Sequence, residues 1–343
     1  MNTRRADRWC LLLLFILVIV TTVASIRYGA MNFSSHDMAS AAWGKLSGRT
    51  DLSLDQRIFV ELRVPRALLC LLVGACLGVG GTLMQALFRN PIVEPGLVGT
   101  SSGAAFGAAL FYVFGSLLKI NLGGWTLPLA ACAGGILSTY AVFALAHTRN
   151  EGRSSILLLL LTGLAINALF MSGIGFLSYV ARDPAARSII YWNLGTLSGA
   201  DWNSVLVVGA ATVAGLVPAI ALAKPLNALM IGEEEASALG VNVRRLKWTV
   251  LTINVLMVAV ATAFTGVISF VGLIVPHILR ILRGPDNRFL ILGSALLGGI
   301  LLSIADLIAR VSLRPAELPI GIVTAVVGVP VFLALLHKGD YLS

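Results

Sequence analysis

Between Arg63 and Gly103 the chain is a long apolar, glycine-bearing run. It opens on two arginines, breaks at Arg89-Asn90-Pro91 and Glu94-Pro95-Gly96, and turns apolar again at Leu97. A run of this length without a polar face has no place in a water-soluble domain, whereas about 20 apolar residues in helical conformation cross a bilayer. The rest of the chain follows suit, with 57% hydrophobic and only 12% charged residues, against about 25% charged in ordinary soluble domains. The class implied is an all-α polytopic membrane protein.

Apolar runs and their polar interruptions give about ten spans, near 9–28, 64–87, 97–116, 125–147, 155–180, 204–223, 247–268, 270–282, 289–310 and 318–336. The eighth is short and contains Pro276, which predicts a broken or tilted half-helix. Among the 35 glycines, Gly74/Gly78 and Gly103/Gly107 have the spacing that lets helix backbones approach closely. Basic residues gather in the short loops on the side of the N-terminus, among them Arg4, Arg5, Arg8, Arg89, Arg149, Arg153, Arg244, Arg245, Arg283 and Arg288. The positive-inside rule then puts both termini in the cytosol. The first apolar run is read as an uncleaved helix, because Val23-Ala24-Ser25 makes a poor signal-peptide cleavage site.

The same scattering of charge accounts for the net +9 without nucleic acid, since no basic helix carries interleaved aromatics. Cys10, Cys70, Cys76 and Cys132 lie in apolar runs without metal-ligand spacing, so neither a metal site nor a disulfide framework is expected. The one Gly-Lys pair, Gly44-Lys45, is followed by Leu46, so no phosphate loop is present, and no catalytic constellation appears. The chain reads as neither an enzyme nor a cofactor protein, and energy for transport has to come from elsewhere.

Three further segments carry information. Gly232-Glu233-Glu234-Glu235-Ala236-Ser237-Ala238-Leu239-Gly240 lies in the longest inner loop. Acids in its first turn suit a helix N-terminus, and Gly240 is placed to end the helix. Phe270-Val271-Gly272-Leu273 runs into Pro276-His277 and Arg280. His277, at the cytosolic end of a proline-containing helix, reads as a hydrogen-bonded structural residue. Asp306 and Arg310 stand one helical turn apart and can pair, which lowers the cost of an acid near the membrane.

The order of these motifs closely resembles the FecCD-type permease subunits of ABC importers for iron-siderophores, heme and cobalamin. The G-E-x-x-A-x-x-L-G pattern is met by Gly232, Glu233, Ala236, Leu239 and Gly240, and F-x-G-L-x-x-P-H-x-x-R by Phe270 to Arg280. The resemblance runs from about Arg63 to Phe332. It implies a single transmembrane permease domain over residues 1–343, cobalamin-permease-like in fold (a type II ABC importer), in the bacterial inner membrane.

By the same resemblance the chain forms a homodimer with two ATP-binding cassette subunits and takes substrate from a periplasmic binding protein. Residues 232–240 then seat in the ATPase. Arg63, Arg66 and Arg310, at outer helix ends, receive carboxylates of the binding protein as exposed forks. Asn90 with Ile92, and Ser154 with Ser155, match the cytosolic gate, and the fifth span lines the pathway. EPGLVGTSSGAAFGA, YWNLGTLSGADW and PAELPIGIVTAVVGVPVF are most similar to heme permeases, although siderophore and cobalamin permeases share most of these words. His36, Met31 and Met38 in the first outer loop read as solvated rather than as heme ligands. An ion-coupled secondary transporter is the rival of a different class, and Asp306 is the acid it would use.

Overall fold

The computed structural model describes residues 2–29, 53–115, 122–146, 156–313 and 315–338, with 38, 40, 41 and 43 between the first two segments. Among these the regular elements are all helical. In chain order they are α1 (Asn2–Arg27), α2 (Leu54–Ile58), α3 (Val64–Phe88), α4 (Thr100–Phe114), α5 (Thr126–Ala146), α6 (Ile156–Val180) and α7 (Ala185–Asn193). There follow α8 (Trp202–Ala221), α9 (Ala223–Ile231), α10 (Glu233–Ala238), α11 (Val243–Thr265), α12 (Val271–Arg283), α13 (Asn287–Ser312) and α14 (Ile320–Lys338). A π-helical stretch, Phe59–Arg63, joins α2 to α3 without a break.

Each of the ten expected spans has its helix. Seven are long and apolar enough to cross a membrane, while α4 and α14 are shorter apolar helices. α12 has only 13 residues, about 20 Å of helix at 1.5 Å per residue, and is the half-helix that Pro276 foretold.

α3 is the hub. Of its most apolar stretch 78% is buried, against 11% for α1 and 17% for α6. Pro65, which has no N–H to offer the preceding turn, sits where the π-helical stretch passes into α3. α3 packs on α13, α11, α12 and α8, while α4 and α5 form a second close pair.

Glycine sets both crossings. A Cβ on Gly74 would lie 2.3 Å from the Gly298 carbonyl oxygen, and one on Gly298 would lie 2.2 Å from that of Gly74. Gly103 and Gly134 face each other the same way, at 2.5 and 2.2 Å. With no hydrophobic drive between helices in lipid, such backbone-to-backbone contact is what holds them.

Among the described residues, three helices besides α10 had no counterpart among the expected spans. α2 lies between the first two expected spans, α7 between the fifth and sixth, and α9 precedes the acidic helix α10. Each has nine residues or fewer and no spanning apolar length, which hid them from a reading by hydropathy.

Candidate docking, gating and coupling sites

At one end of the bundle, Asp306 holds two arginines, and a third lies beside them. Arg66 donates from Nε (3.1 Å) and Nη2 (2.9 Å) to Asp306 Oδ1, and from Nη1 to both oxygens of Glu317 at 3.0 and 2.9 Å. Arg310 Nε lies 2.9 Å from Asp306 Oδ2, so the in-register pair read from the sequence is present. The remaining Arg310 donors cap the end of α1, with Nη2 bonding Ser25 O and Oγ and Nη1 bonding Tyr28 O. Arg63 Nη1 donates to the same Tyr28 carbonyl at 3.2 Å.

Positive charge at the C-terminal end of α1 complements its dipole. The expectation of exposed forks is therefore corrected for Arg66 and Arg310. The Arg310 side chain is 4% exposed and that of Arg66 15%, while Glu317 stands open at 41%. The physical reason is the second carboxylate. With Asp306 beneath and Glu317 above, the guanidiniums gain more from pairing inward than from reaching into water.

The segment after α3 turns back into the bundle. Arg89 takes a left-handed conformation (φ 51°) as the helix ends, and Asn90 Oδ1 accepts the Ile92 N–H at 2.9 Å. Pro95 then wedges between three helices. A Cβ on Gly80 would lie 3.3 Å from Pro95 Cβ, and one on Gly272 would lie 2.5 Å from its ring. Asn254 Nδ2 of α11 donates to Pro95 O at 3.3 Å. Gly80 is eight residues before the end of α3, so the chain has climbed back about 12 Å along that helix.

Irregular backbone at such depth needs protein on its flanks or a cavity, and α6 supplies one flank. A Cβ on Gly163 would lie 2.5 Å from Leu97 O, and Ser102 Oγ bonds Asn167 Oδ1. Glu94 bonds the N–H of Phe270 at 2.9 Å, placing its carboxylate at the positive end of α12. Of the gate residues read from the sequence, Asn90 and Ile92 lie at the start of this segment, with Ile92 exposed; Ser154 and Ser155 lie outside the described residues. The opposite face of α6, with Leu161, Leu164, Leu169, Phe176 and Tyr179, is exposed along its length.

α10 begins with three glutamates, as expected. Gly240 at φ 82° closes it, with Gly240 N bonding Ser237 O and Val241 N bonding Ala236 O, the paired bonds of a left-handed helix stop. Ala236 is buried, whereas Leu239 is exposed. Glu233 turns inward, and Lys247 Nζ sits 2.8 Å from each of its oxygens. Lys247 belongs to α11 and is buried. Among the described residues no group of three or more His, Cys, Asp or Glu side chains is placed to hold a metal; His36 and Met31 are not among them.

Long apolar helices, glycine-mediated crossings, a half-helix and a re-entrant segment define a polytopic helical membrane transport protein. A model of the FecCD transport family matches residues 16–338. The chain is 37% identical to the hemin transport system permease protein HmuU of Yersinia pestis, over 98% of both chains. It is 41% identical to the cobalamin import system permease protein BtuC of Halobacterium salinarum, over 83% of this chain and 74% of that one. A solved metal-chelate type ABC transporter, in an inward-facing conformation, aligns with a TM-score of 0.83 at 30% identity over 96% of this chain and 99% of that one. The chain belongs to the FecCD transport family and is a permease of the ABC importer class.

Proposed function

We propose that this chain is the permease of an importer that carries heme, or a closely similar iron complex, from the periplasm to the cytosol as a homodimer. Two ATPase subunits drive it, and a binding protein delivers the substrate. The observation that carries the coupling role is α10, an acidic helix fixed to the bundle through Glu233–Lys247 while Glu234, Glu235 and Leu239 stand outward. Gly232, Glu233, Ala236, Leu239 and Gly240 shape that peg. The exposed face of α6 pairs with its twin across the dimer axis and lines the pathway. Asn90 and Ile92, with Ser154 and Ser155, close its cytosolic end. Asp306, the acid an ion-coupled carrier would use, is already committed to two arginines.

Heme is favoured by end-to-end likeness to a hemin permease. Cobalamin is the second reading, favoured by the higher identity over a shorter span. Vesicles holding the chain with its ATPase and binding protein are expected to accumulate hemin only when ATP is supplied. Accumulation of cyanocobalamin alone would remove the heme assignment and leave the class standing. Uptake by the lone chain on a proton gradient would remove the class.

Docking falls chiefly to Arg63 and Arg66, with Arg310 setting their position. Reversing both Arg63 and Arg66 to glutamate is expected to abolish stimulation of ATP hydrolysis by the loaded binding protein, and raised salt to weaken the parent complex. Retained stimulation in the double variant would reject docking at these residues. Orientation is checked separately. A cysteine at Arg187 is expected to label from outside the cell and one at Glu234 only from inside, and the reverse pattern would invert the topology.

A further inference from the structure

Lys247 lies in the second turn of α11 and is 8% exposed, with its ammonium held by both oxygens of Glu233. A lysine is seldom buried to this degree without such a partner. Seven residues on, and so on nearly the same face of the helix, Asn254 is 0% exposed. Its amide nitrogen holds Pro95 O, while its Oδ1 has no hydrogen-bond partner. A half-satisfied asparagine in an apolar core costs stability, and leucine would fill the same space without that cost.

What the asparagine gains is a grip on the gate segment. Proline has no N–H, so the carbonyl is the only backbone handle Pro95 offers. Next to it, Glu94 holds the start of α12 through the Phe270 N–H. An unbroken chain of contacts therefore runs from α10 through Glu233–Lys247, along two turns of α11, through Asn254 to Pro95 and Glu94, and on to α12.

We propose that Lys247 and Asn254 are positioning residues through which movement of α10 reaches the gate segment 89–99. This rests on the reading of α10 as the element that couples to the ATPase. The two-oxygen ion pair resists both pull and push. α11 between the two residues is regular helix and moves as a rod, and Pro95, wedged at Gly80 and Gly272, must follow Asn254 or part from it. Because Glu94 caps α12, the segment and the half-helix shift together.

The test uses the permease–ATPase complex in liposomes, with Cys10, Cys70, Cys76 and Cys132 replaced and one cysteine introduced at Ile92. The readout is the rate of maleimide labelling with and without a non-hydrolysable ATP analogue. The parent is expected to show a nucleotide-dependent change in rate. Lys247→Met and Asn254→Leu are each expected to shrink that change about tenfold, within the usual range of coupling between sites, while the ATPase still co-purifies. Lys247→Arg, which keeps the charge pair, should retain it. Glu233→Gln combined with Lys247→Met should do no more than Lys247→Met alone, since the two act as one link.

An undiminished nucleotide response in Asn254→Leu, or additive effects of Glu233→Gln and Lys247→Met, overturns the relay. Should Lys247→Met fail to fold, Asn254→Leu and Lys247→Arg decide the matter in the same way. A parent that binds no ATPase, or shows no nucleotide response, instead rejects the coupling role of α10 itself.

Discussion

Asp306→Ala is expected to leave a protein that barely accumulates in the membrane and loses its folded form on mild heating in detergent. The carboxylate is 1% exposed and faces Arg66 from one helix and Arg310 from its own. Removing it strands the Arg310 guanidinium in a site closed to water and leaves Arg66 with Glu317 as its one carboxylate partner. Breaking a buried pair by deleting one partner costs about 3–5 kcal/mol, a large part of the ~5–15 kcal/mol that holds a typical fold.

Arg310 also caps the end of α1 through Ser25 and Tyr28, so its displacement would loosen that peripheral helix as well. Glu317→Gln provides the contrast. Its side chain is 41% exposed, and exposed ion pairs contribute about 0.2–1 kcal/mol, so this variant should fold normally. Fluorescence-detected size exclusion across a temperature series reads both. A monodisperse Asp306→Ala protein with the parent's melting temperature would show that the arginines find water or other partners, and that Asp306 does not organise the cluster.

What the sequence disclosed and what it withheld divide along a physical line. Spanning helices announce themselves through unbroken apolar length, and Gly74, Gly78 and Gly103 through spacing, because both are local properties of one segment. The Asp306–Arg310 pair was visible for the same reason, being one helical turn apart. The Arg66–Asp306 and Arg66–Glu317 contacts were not, since they join residues some 240 and 251 positions apart that meet only through the crossing of α3 and α13. Arginines at outer helix ends read naturally as snorkelling toward water, and only the tertiary arrangement shows carboxylates waiting for them.

The segment after α3 is legible in the sequence in its place but not in its depth. Arg89-Asn90-Pro91 signals a surface turn, and the turn is there, but Pro95 then re-enters the bundle because Gly80 and Gly272 leave room for its ring. The inward turn of Lys247 is hidden from the sequence for a related reason. Arg244, Arg245 and Lys247 look like one basic surface cluster, yet α11 already begins at Val243 and turns the third of them inward toward Glu233.

Gly74→Leu and Gly298→Leu are each expected to prevent stable folding, and for one shared reason. The two glycines face each other where α3 crosses α13, each so near the other's carbonyl that a single added methyl would lie 2.2–2.3 Å from an oxygen. Four residues on, a Cβ on Gly78 would meet the Ser294 carbonyl at 2.3 Å, so the contact spans a full turn and tilting the helices cannot relieve it. Backbone has no rotamer to give, and the helices have to separate. Overpacking of a well-packed core costs about 1–3 kcal/mol and occasionally more, and here the separation would also undo the neighbouring contacts of α3, the most buried helix of the bundle. Gly209→Ala in α8 is the control. Its Cβ would meet only Leu72 Cδ1 at 3.5 Å, an ordinary contact, and alanine is the better helix former by about 1 kcal/mol, so that variant should melt at or above the parent's temperature. If Gly74→Leu and Gly209→Ala melt together with the parent, the α3–α13 crossing is not held by backbone contact, and the close approach at Gly74 and Gly298 does not organise the fold.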